Sequence, residues 1–164
     1  MAVKYILLDR DGVINQERGT HTFLREDFKW VDGLWDGLAE LANLGYRFVV
    51  ITNQSGIAKQ MYLHRHVLEL NQLIKDEFAK RKLLLDEIFY CPHHPDFSKC
   101  ICRKPHSGLF EKAVAKYHID TAKSWMIGDK ERDVIPAEKL GINGLLVPAN
   151  ANFASSIKPI TQNG

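Results

Sequence analysis

Short apolar runs alternate with amphipathic helical patterns along most of the chain, and this alternation restricts the fold more than any other feature. Each apolar run is five or six residues long and is followed by polar residues, as is typical of strands buried on both faces. Apolar residues three and four positions apart predict helices between the runs. The predicted strands span 3–8, 47–52, 87–91, 124–129 and 143–148, and the predicted helices span 32–46, 63–81, 108–118 and 133–141. This order predicts an α/β fold in which a parallel sheet lies between two layers of helices.

The length and the composition indicate a single domain that spans 1–164. The 164 residues are 45% hydrophobic and 26% charged, which is ordinary for a globular domain. The 22 basic and 20 acidic residues leave a net charge of +2, so no global field attracts nucleic acid or an anionic membrane. A charge comes too early for a signal peptide, and no apolar stretch reaches the roughly 18 residues of a membrane span. We therefore expect a cytoplasmic protein, and we predict a monomer.

Aspartates follow two of the predicted strands directly. Asp9 and Asp11 come after the first strand, and Asp129 and Asp133 come after the fourth. Because the carboxyl ends of parallel strands form the ligand-binding edge of an open sheet, these four side chains are expected to converge. Each aspartate alone could be a helix cap or a turn residue, but four together would repel one another unless a cation neutralised them. Oxygen ligands of this kind predict a Mg²⁺ site.

The spacing of Asp9 and Asp11 suits two different chemical roles. If the chain stays extended, the two side chains emerge on the same side, and Gly12 allows a sharp turn after them. Asp9 could attack phosphorus as a nucleophile and form an aspartyl phosphate. Asp11 could then donate a proton to the leaving oxygen and later accept one from water. The stretch therefore predicts phosphoryl-transfer chemistry.

Cysteine and histidine residues cluster in the segment 91–102, whose sequence is CPHHPDFSKCIC. Three thiolates and one imidazole form a donor set that tetrahedral zinc prefers. Cys91, Cys100 and Cys102 supply the thiolates, and either His93 or His94 could supply the imidazole; the alternative is a loop of three unliganded thiols beside two surface histidines. Four protein ligands leave no position for water, so we predict a structural Zn²⁺ that fixes this loop. The segment after 148 is polar and weakly patterned, and we expect a loosely held tail at about 149–164.

Four segments resemble, in order, the four motifs of the haloacid dehalogenase-like (HAD) phosphatases. They are DRDGVIN, VITNQSGI, CRKP and GDKERD, and they span Asp9 to Asp133. Within that superfamily the segments DRDGVIN, TNQSGIA, CPHHP and CRKPHSG are similar to those of the heptose bisphosphate phosphatases, with the histidinol phosphatases as a close branch. The resemblance implies the three-layer Rossmann-like HAD fold with a zinc-binding loop.

The resemblance also implies roles for individual residues. Asp9 would be the nucleophile and Asp11 the general acid and base. Thr52 and Lys104 would hold the phosphoryl oxygens, as a hydroxyl and an ammonium group can. Mg²⁺ would bind the side chains of Asp9 and Asp129 and the backbone of Asp11, with Asp133 in a supporting role, and Zn²⁺ would bind Cys91, His93, Cys100 and Cys102.

The connecting segments leave no room for a cap domain over the site. The gap from 15 to 47 holds one helix and a loop, and only the short zinc loop follows the third strand. Small polar loops must therefore select the substrate, and a sugar bisphosphate would need a second cationic grip, which Arg103 and Lys130 could supply. The residues predicted to bind substrate are Glu17, Arg18, Gly19, Thr20, Thr52, Asn53, Gln54, Ser55, Arg103, Lys104 and Lys130.

These features together predict a Mg²⁺-dependent phosphatase that acts on a small phosphorylated metabolite. The resemblance favours heptose 1,7-bisphosphate as the substrate, with loss of the 7-phosphate, and histidinol phosphate is the alternative. An alternative of another class is a zinc-stabilised binding module without catalysis. The balanced charge and the absence of clustered aromatic and basic residues argue against a nucleic-acid partner for such a module.

Overall fold

Five strands form one parallel sheet in the computed structural model of the chain, which describes residues 1–162. They are β1 (Tyr5–Leu8), β2 (Arg47–Asn53), β3 (Leu85–Cys91), β4 (Trp125–Gly128) and β5 (Asn143–Leu146). The order across the sheet is β3-β2-β1-β4-β5, and every pairing is parallel. The connections change direction at β1, which pairs with β2 on one side and with β4 on the other. A ligand cleft is expected beyond the carboxyl ends of β1 and β4, since the strand order reverses there.

Helices cover both faces of the sheet and bury the alternating side chains of β1. Ile6 and Leu8 lie in a core cluster with apolar residues of α1 (Leu34–Asn43), α2 (His64–Lys80) and the C-terminal helices. Tyr5 and Leu7 lie in a second cluster with those of α3 (Gly108–Tyr117) and α4 (Glu131–Lys139). The predicted three-layer α/β fold is therefore confirmed. The C-terminal helices are α5 (Phe153–Ser156) and α6 (Lys158–Thr161), and short 3₁₀ turns span Arg25–Asp27 and Thr121–Lys123.

The connections around the carboxyl ends of the strands are short. Only a 3₁₀ turn and α1 lie between β1 and β2, and the segment between β3 and α3 contains turns without a regular element. Over residues 1–162 there is thus no cap domain, as the segment lengths predict. In the same residues, no helix combines the length and the apolar character that crossing a membrane requires.

The C-terminal segment differs from its prediction as a loosely held tail. Phe153, Ile157 and Ile160 are each at most 2% exposed and belong to the core cluster that α1 and α2 form. Asn152 begins α5, because its side-chain oxygen accepts a hydrogen bond of 3.1 Å from the backbone of Ser155. The prediction was wrong for 153–161, since spacings of four and three between apolar residues carry a helical pattern that the surrounding polar residues obscure. Positions 163 and 164 lie outside the described residues.

Candidate active site at the carboxyl edge of the sheet

The chain makes a tight turn directly after β1, and this turn brings Asp9 and Asp11 close to Asp129. Gly12 has φ +88°, and a Cβ atom there would lie 2.6 Å from a carboxylate oxygen of Asp129. Only glycine fits this position, because the backbone conformation and the close approach both exclude a side chain. The aspartates that follow β1 and β4 therefore meet at the edge where the strand order reverses.

Lys104 is the buried cation of this cluster, although it lies far from the aspartates in sequence. Its side chain is 1% exposed. Its ammonium group donates to Asp9 at 2.9 Å and to the backbone oxygen of Ile51 at 2.7 Å, and it lies 2.7 Å from a carboxylate oxygen of Asp133. The backbone of Lys104 is fixed by Asn53, whose side chain exchanges hydrogen bonds of 3.0 and 3.1 Å with it. The end of β2 thus holds the lysine in place.

Three carboxylates of the cluster fit a divalent cation. Oxygen atoms of Asp9, Asp129 and Asp133 lie within 4.8 Å of one another. Burial raises the pKa of Asp9 to about 8; the charge of Lys104 opposes this rise, and the nearby carboxylates add to it. Burial also raises the pKa of Asp129. With all three ionised, one ammonium group leaves about two negative charges unbalanced, so a hard divalent ion with oxygen ligands matches the site.

Asp11 occupies a different electrostatic environment from Asp9. One of its oxygens accepts hydrogen bonds from Arg10 at 2.9 Å and Asn15 at 3.0 Å, and the other accepts from Gln54 at 3.2 Å. Burial alone would raise the pKa of Asp11, but the charge of Arg10 and these three donors bring it below its usual value. The two neighbouring carboxyl groups therefore have pKa values shifted in opposite directions, because the donors around Asp11 outweigh its burial whereas Lys104 does not outweigh that of Asp9.

The four predicted zinc ligands come together in the loop after β3. The ligand atoms of Cys91, His93, Cys100 and Cys102 all lie within 4.8 Å of one another. Cys91 Sγ lies 3.8 Å from Cys100 Sγ and 3.5 Å from His93 Nδ1, and a tetrahedral zinc ion separates neighbouring ligand atoms by roughly 3.3–3.8 Å. Cys102 Sγ lies closer than that, at 3.2 Å from His93 Nδ1 and 2.8 Å from Cys91 Sγ, so this thiol would have to move outward to bind the ion. The three cysteines form no disulfide. His94 stays outside the cluster, where its Nδ1 accepts from the backbone of Asp96 at 3.2 Å.

An open cleft of about 460 Å³ lies above the aspartates. Most of the residues predicted to bind substrate line it, but two do not. Arg18 pairs with Asp27 at 2.6 Å, and Thr52 is 1% exposed, with its hydroxyl accepting from Gln54 at 3.0 Å. The predicted residues that line the cleft, with the aspartates, are Glu17, Gly19, Thr20, Asn53, Gln54, Ser55, Arg103, Lys104 and Lys130.

Comparison with known proteins places the chain in a family. Residues 101–160 match the HAD-hydrolase-like family model. A D-glycero-β-D-manno-heptose-1,7-bisphosphate 7-phosphatase of Vibrio cholerae is 36% identical over the whole chain and 88% of its own length. The enzyme of the same name from Escherichia coli K12 is 41% identical over 81% of this chain and 72% of its own length.

The chain belongs to the HAD-like phosphatase family. It is accordingly a phosphoric monoester hydrolase. A crystal structure of D,D-heptose 1,7-bisphosphate phosphatase from B. bronchiseptica, complexed with magnesium and phosphate, has a TM-score of 0.82 and 30% sequence identity. The match covers 95% of this chain and 86% of that one.

This HAD-like phosphatase places further residues in its cleft that the sequence motifs did not single out. Two are basic: Arg132 lies within the segment GDKERD, where no role was assigned to it, and Lys59 directly follows the segment TNQSGIA. The loop at Glu17 is held from the far end of the chain, since its backbone exchanges hydrogen bonds of 2.6 and 2.9 Å with the side chain of Asn150. That contact spans 133 positions and has no local sequence pattern. The other unpredicted lining residues are His21, Thr22 and Met61.

Proposed function

We propose that this phosphatase removes the 7-phosphate from D-glycero-β-D-manno-heptose 1,7-bisphosphate with the help of Mg²⁺. The observation that carries the chemistry is the buried ion pair between Lys104 and Asp9, which faces the cleft beside Asp129 and Asp133. The names of relatives at 36–42% identity support the substrate and its anomer. Histidinol phosphate, the alternative from the sequence, has no comparable support.

In the proposed reaction, Asp9 attacks phosphorus, and the bond between phosphorus and the sugar oxygen breaks. Asp11 donates a proton to that oxygen, so the sugar leaves as an alcohol. Water then attacks the aspartyl phosphate, Asp11 accepts the proton of the water, and inorganic phosphate departs while the Asp9 carboxylate is restored. Lys104 stabilises the negative charge on the phosphoryl oxygens throughout.

The two proposed metals have different duties. Mg²⁺ would be held by Asp9, Asp129 and the backbone of Asp11, with Asp133 in support, and when bound it neutralises charge on the phosphoryl group and favours the ionised form of Asp9. Zn²⁺ would fix the loop that ends directly before Arg103 and Lys104. The ligands proposed for Zn²⁺ are Cys91, His93, Cys100 and Cys102.

The second phosphate of the substrate would bind at the basic wall of the cleft. Arg103, Lys130 and Arg132 all line it. Burial lowers the pKa of Arg103, and the charge of Arg132 lowers it further. Two guanidinium groups that disfavour each other's charge would gain from an anion between them. A substrate with two phosphates therefore suits this wall better than one with a single phosphate.

A comparison of kcat/KM for four esters tests this proposal. We expect kcat/KM for the β anomer of heptose 1,7-bisphosphate to exceed the values for histidinol phosphate and p-nitrophenyl phosphate by roughly tenfold or more, since each phosphate contact adds binding energy. It should also exceed the value for the α anomer, which carries the same two phosphates, as the names of the relatives indicate. If kcat/KM were higher for histidinol phosphate than for heptose 1,7-bisphosphate, histidinol phosphate would be the better candidate substrate. Equal values for all four would leave only a general phosphatase.

We also propose that the enzyme is a cytoplasmic monomer. The support is the balanced surface charge and the three free cysteines, which a reducing compartment keeps available for metal. Analytical ultracentrifugation at micromolar concentration should give the mass of one chain, 18.7 kDa. A concentration-dependent shift to twice that mass would contradict the monomer.

A further inference from the structure

Gln54 connects Asp11 to a residue outside the sequence motifs. Its side-chain nitrogen donates to Asp11 at 3.2 Å and to the hydroxyl of Thr52 at 3.0 Å. Its side-chain oxygen accepts a hydrogen bond of 2.7 Å from the hydroxyl of Tyr62. Gln54 is 2% exposed, so water cannot readily replace any of these partners. Both ends of the amide are therefore satisfied only while all three neighbours keep their places.

The side chain of Tyr62 is buried and closely packed, so the position of its hydroxyl group is fixed. It is 3% exposed, and its ring stacks on Phe23 with centroids 5.0 Å apart and planes at 17°. The ring of His21 is packed in an edge-to-face arrangement with the ring of Tyr62, with centroids 5.7 Å apart. On the other side, a Cβ atom at Gly56 would collide with the ring. The position of Tyr62 is thus set by packing rather than by the cleft.

The amide of Gln54 has one orientation that satisfies its surroundings. Oδ2 of Asp11 can accept a hydrogen bond whether the carboxyl group is ionised or carries the proton that it donates, so the nitrogen of Gln54 faces it. The oxygen of Gln54 then points to Tyr62, whose hydroxyl is the donor. Without that hydroxyl, the oxygen would be buried without a partner, which favours a rotated side chain.

The rotation would release the one oxygen of Asp11 that Arg10 and Asn15 do not hold. Those two residues both donate to Oδ1, whereas Oδ2 accepts from Gln54. The direction of Oδ2 thus depends on Gln54. Proton transfer is sensitive to displacements of this kind, because donor and acceptor must be within hydrogen-bond reach.

We propose that Tyr62 is a positioning residue for the proton-transfer step: its hydroxyl orients Gln54, and Gln54 orients the carboxyl group of Asp11. This inference rests on the proposed function, in which Asp11 donates a proton to the leaving oxygen. It assigns Tyr62 a part in the reaction although the side chain has no place in the cleft wall.

The variant Tyr62→Phe tests the proposal, with two esters that differ in their need for an acid. The p-nitrophenolate ion leaves without a proton, whereas the alkoxide of glycerol 2-phosphate requires one. We expect kcat/KM to fall about tenfold for glycerol 2-phosphate and less than about twofold for p-nitrophenyl phosphate. The quantity kcat/KM is chosen because it reports the steps up to departure of the leaving group. A structural role alone would lower the values for both esters by the same factor.

Tyr90→Phe is the matched control. Its hydroxyl contacts His64 at 2.9 Å, outside the cleft, and kcat/KM should be unchanged for both esters. Equal losses for the two esters in Tyr62→Phe, or no loss for either, would overturn the proposal.

A second variant covers the case in which Tyr62→Phe yields no folded protein. Gln54→Leu removes both ends of the amide at similar size, and it should show the same preference for the aryl ester. When both variants fold, the double variant should lose no more activity on glycerol 2-phosphate than Gln54→Leu alone, since both changes break one chain of contacts. Additive losses, or a Gln54→Leu variant that treats both esters alike, would overturn the proposal.

Asp11→Asn separates this inference from the proposed function. If Asp11→Asn loses the same factor on both esters, Asp11 is not the proton donor and the proposed reaction is wrong at that step. If Asp11→Asn is selective for the alkyl ester and Tyr62→Phe is not, the reaction stands and only the role of Tyr62 is refuted.

Discussion

The two candidate metal sites are assembled in opposite ways. The carboxylate site draws Asp9 and Asp129 from the ends of two strands that lie 120 positions apart in the sequence, and the sheet brings them together. The cysteine site takes all four candidate ligands from within twelve positions, 91–102: Cys91 ends β3, and the other three lie in the turns that follow it. The fold therefore makes the first site, whereas the second site must stabilise the local structure that contains it.

The same difference appears in what neutralises each cluster. The carboxylates have an internal cation, Lys104, in hydrogen-bond contact with two of them. The cysteines lie against each other, and burial raises the pKa values of Cys91 and Cys102, whereas hydrogen bonds outweigh burial and lower that of Cys100. Two of the three thiolates that a metal needs are therefore unfavourable until the metal is bound. Loss of an ion should thus affect activity at the first site and the loop structure at the second.

Asp9→Asn should have the largest effect on activity. Without the nucleophile we expect hydrolysis of any ester to fall by at least about 10³-fold. The unfolding temperature should stay within a few degrees of the wild-type value, because the variant removes one charge from a cluster of like charges. Phosphate release and a thermal melt measure the two quantities. Asp36→Asn, on the exposed side of α1, should change neither, and wild-type turnover by Asp9→Asn would refute the nucleophile.

Cys100→Ser should act mainly on structure. Loss of one thiolate should remove the zinc, lower the unfolding temperature by roughly 5–15 °C, and reduce activity less than Asp9→Asn does. Metal analysis by mass spectrometry, with a thermal melt, checks this; wild-type protein should carry about one zinc per chain. A Cys100→Ser protein that keeps its zinc and its unfolding temperature would contradict a structural metal.

Arg103→Gln probes the junction between the two sites, since Arg103 follows the last cysteine and lines the catalytic cleft. We expect KM for heptose 1,7-bisphosphate to rise about tenfold, with kcat and the KM for p-nitrophenyl phosphate little changed, because only the second phosphate loses a contact. Arg65→Gln, exposed on α2, is the control. An equal rise in KM for both esters would mean that Arg103 does not distinguish the second phosphate.

His94→Ala should have the smallest effect. His94 stands next to His93 in sequence but lies outside the metal cluster. Zinc content should be unchanged, and the unfolding temperature should shift by no more than a few degrees, since the change removes only contacts with Asp96 and Phe97, which are both exposed. His93→Ala, made in parallel, should lose the metal. If His94→Ala lost the zinc and His93→Ala kept it, His94 rather than His93 would be the ligand.

The sequence predicted the strands more accurately than it predicted the C-terminal helices. Each predicted strand overlaps an observed one, because a short apolar run between two helical patterns leaves few alternatives to a parallel strand. The strand after α2 begins two residues earlier than predicted, at Leu85, where its pairing with β2 shifts register between Phe48 and Val49. The C-terminal helices were missed because three widely spaced apolar residues among polar ones are a weak pattern.

The sequence by itself determined the order of strands and helices, the acidic and basic residues at strand ends, and the cluster of cysteine and histidine residues, because all of these are local patterns. Only the tertiary structure decided that Lys104 would be buried against Asp9, that Asn150 would hold the loop at Glu17, and that Tyr62 would reach Gln54. Those contacts depend on which segments the sheet brings side by side. No spacing along the chain encodes a hydrogen bond that forms only when two distant loops pack at the same edge.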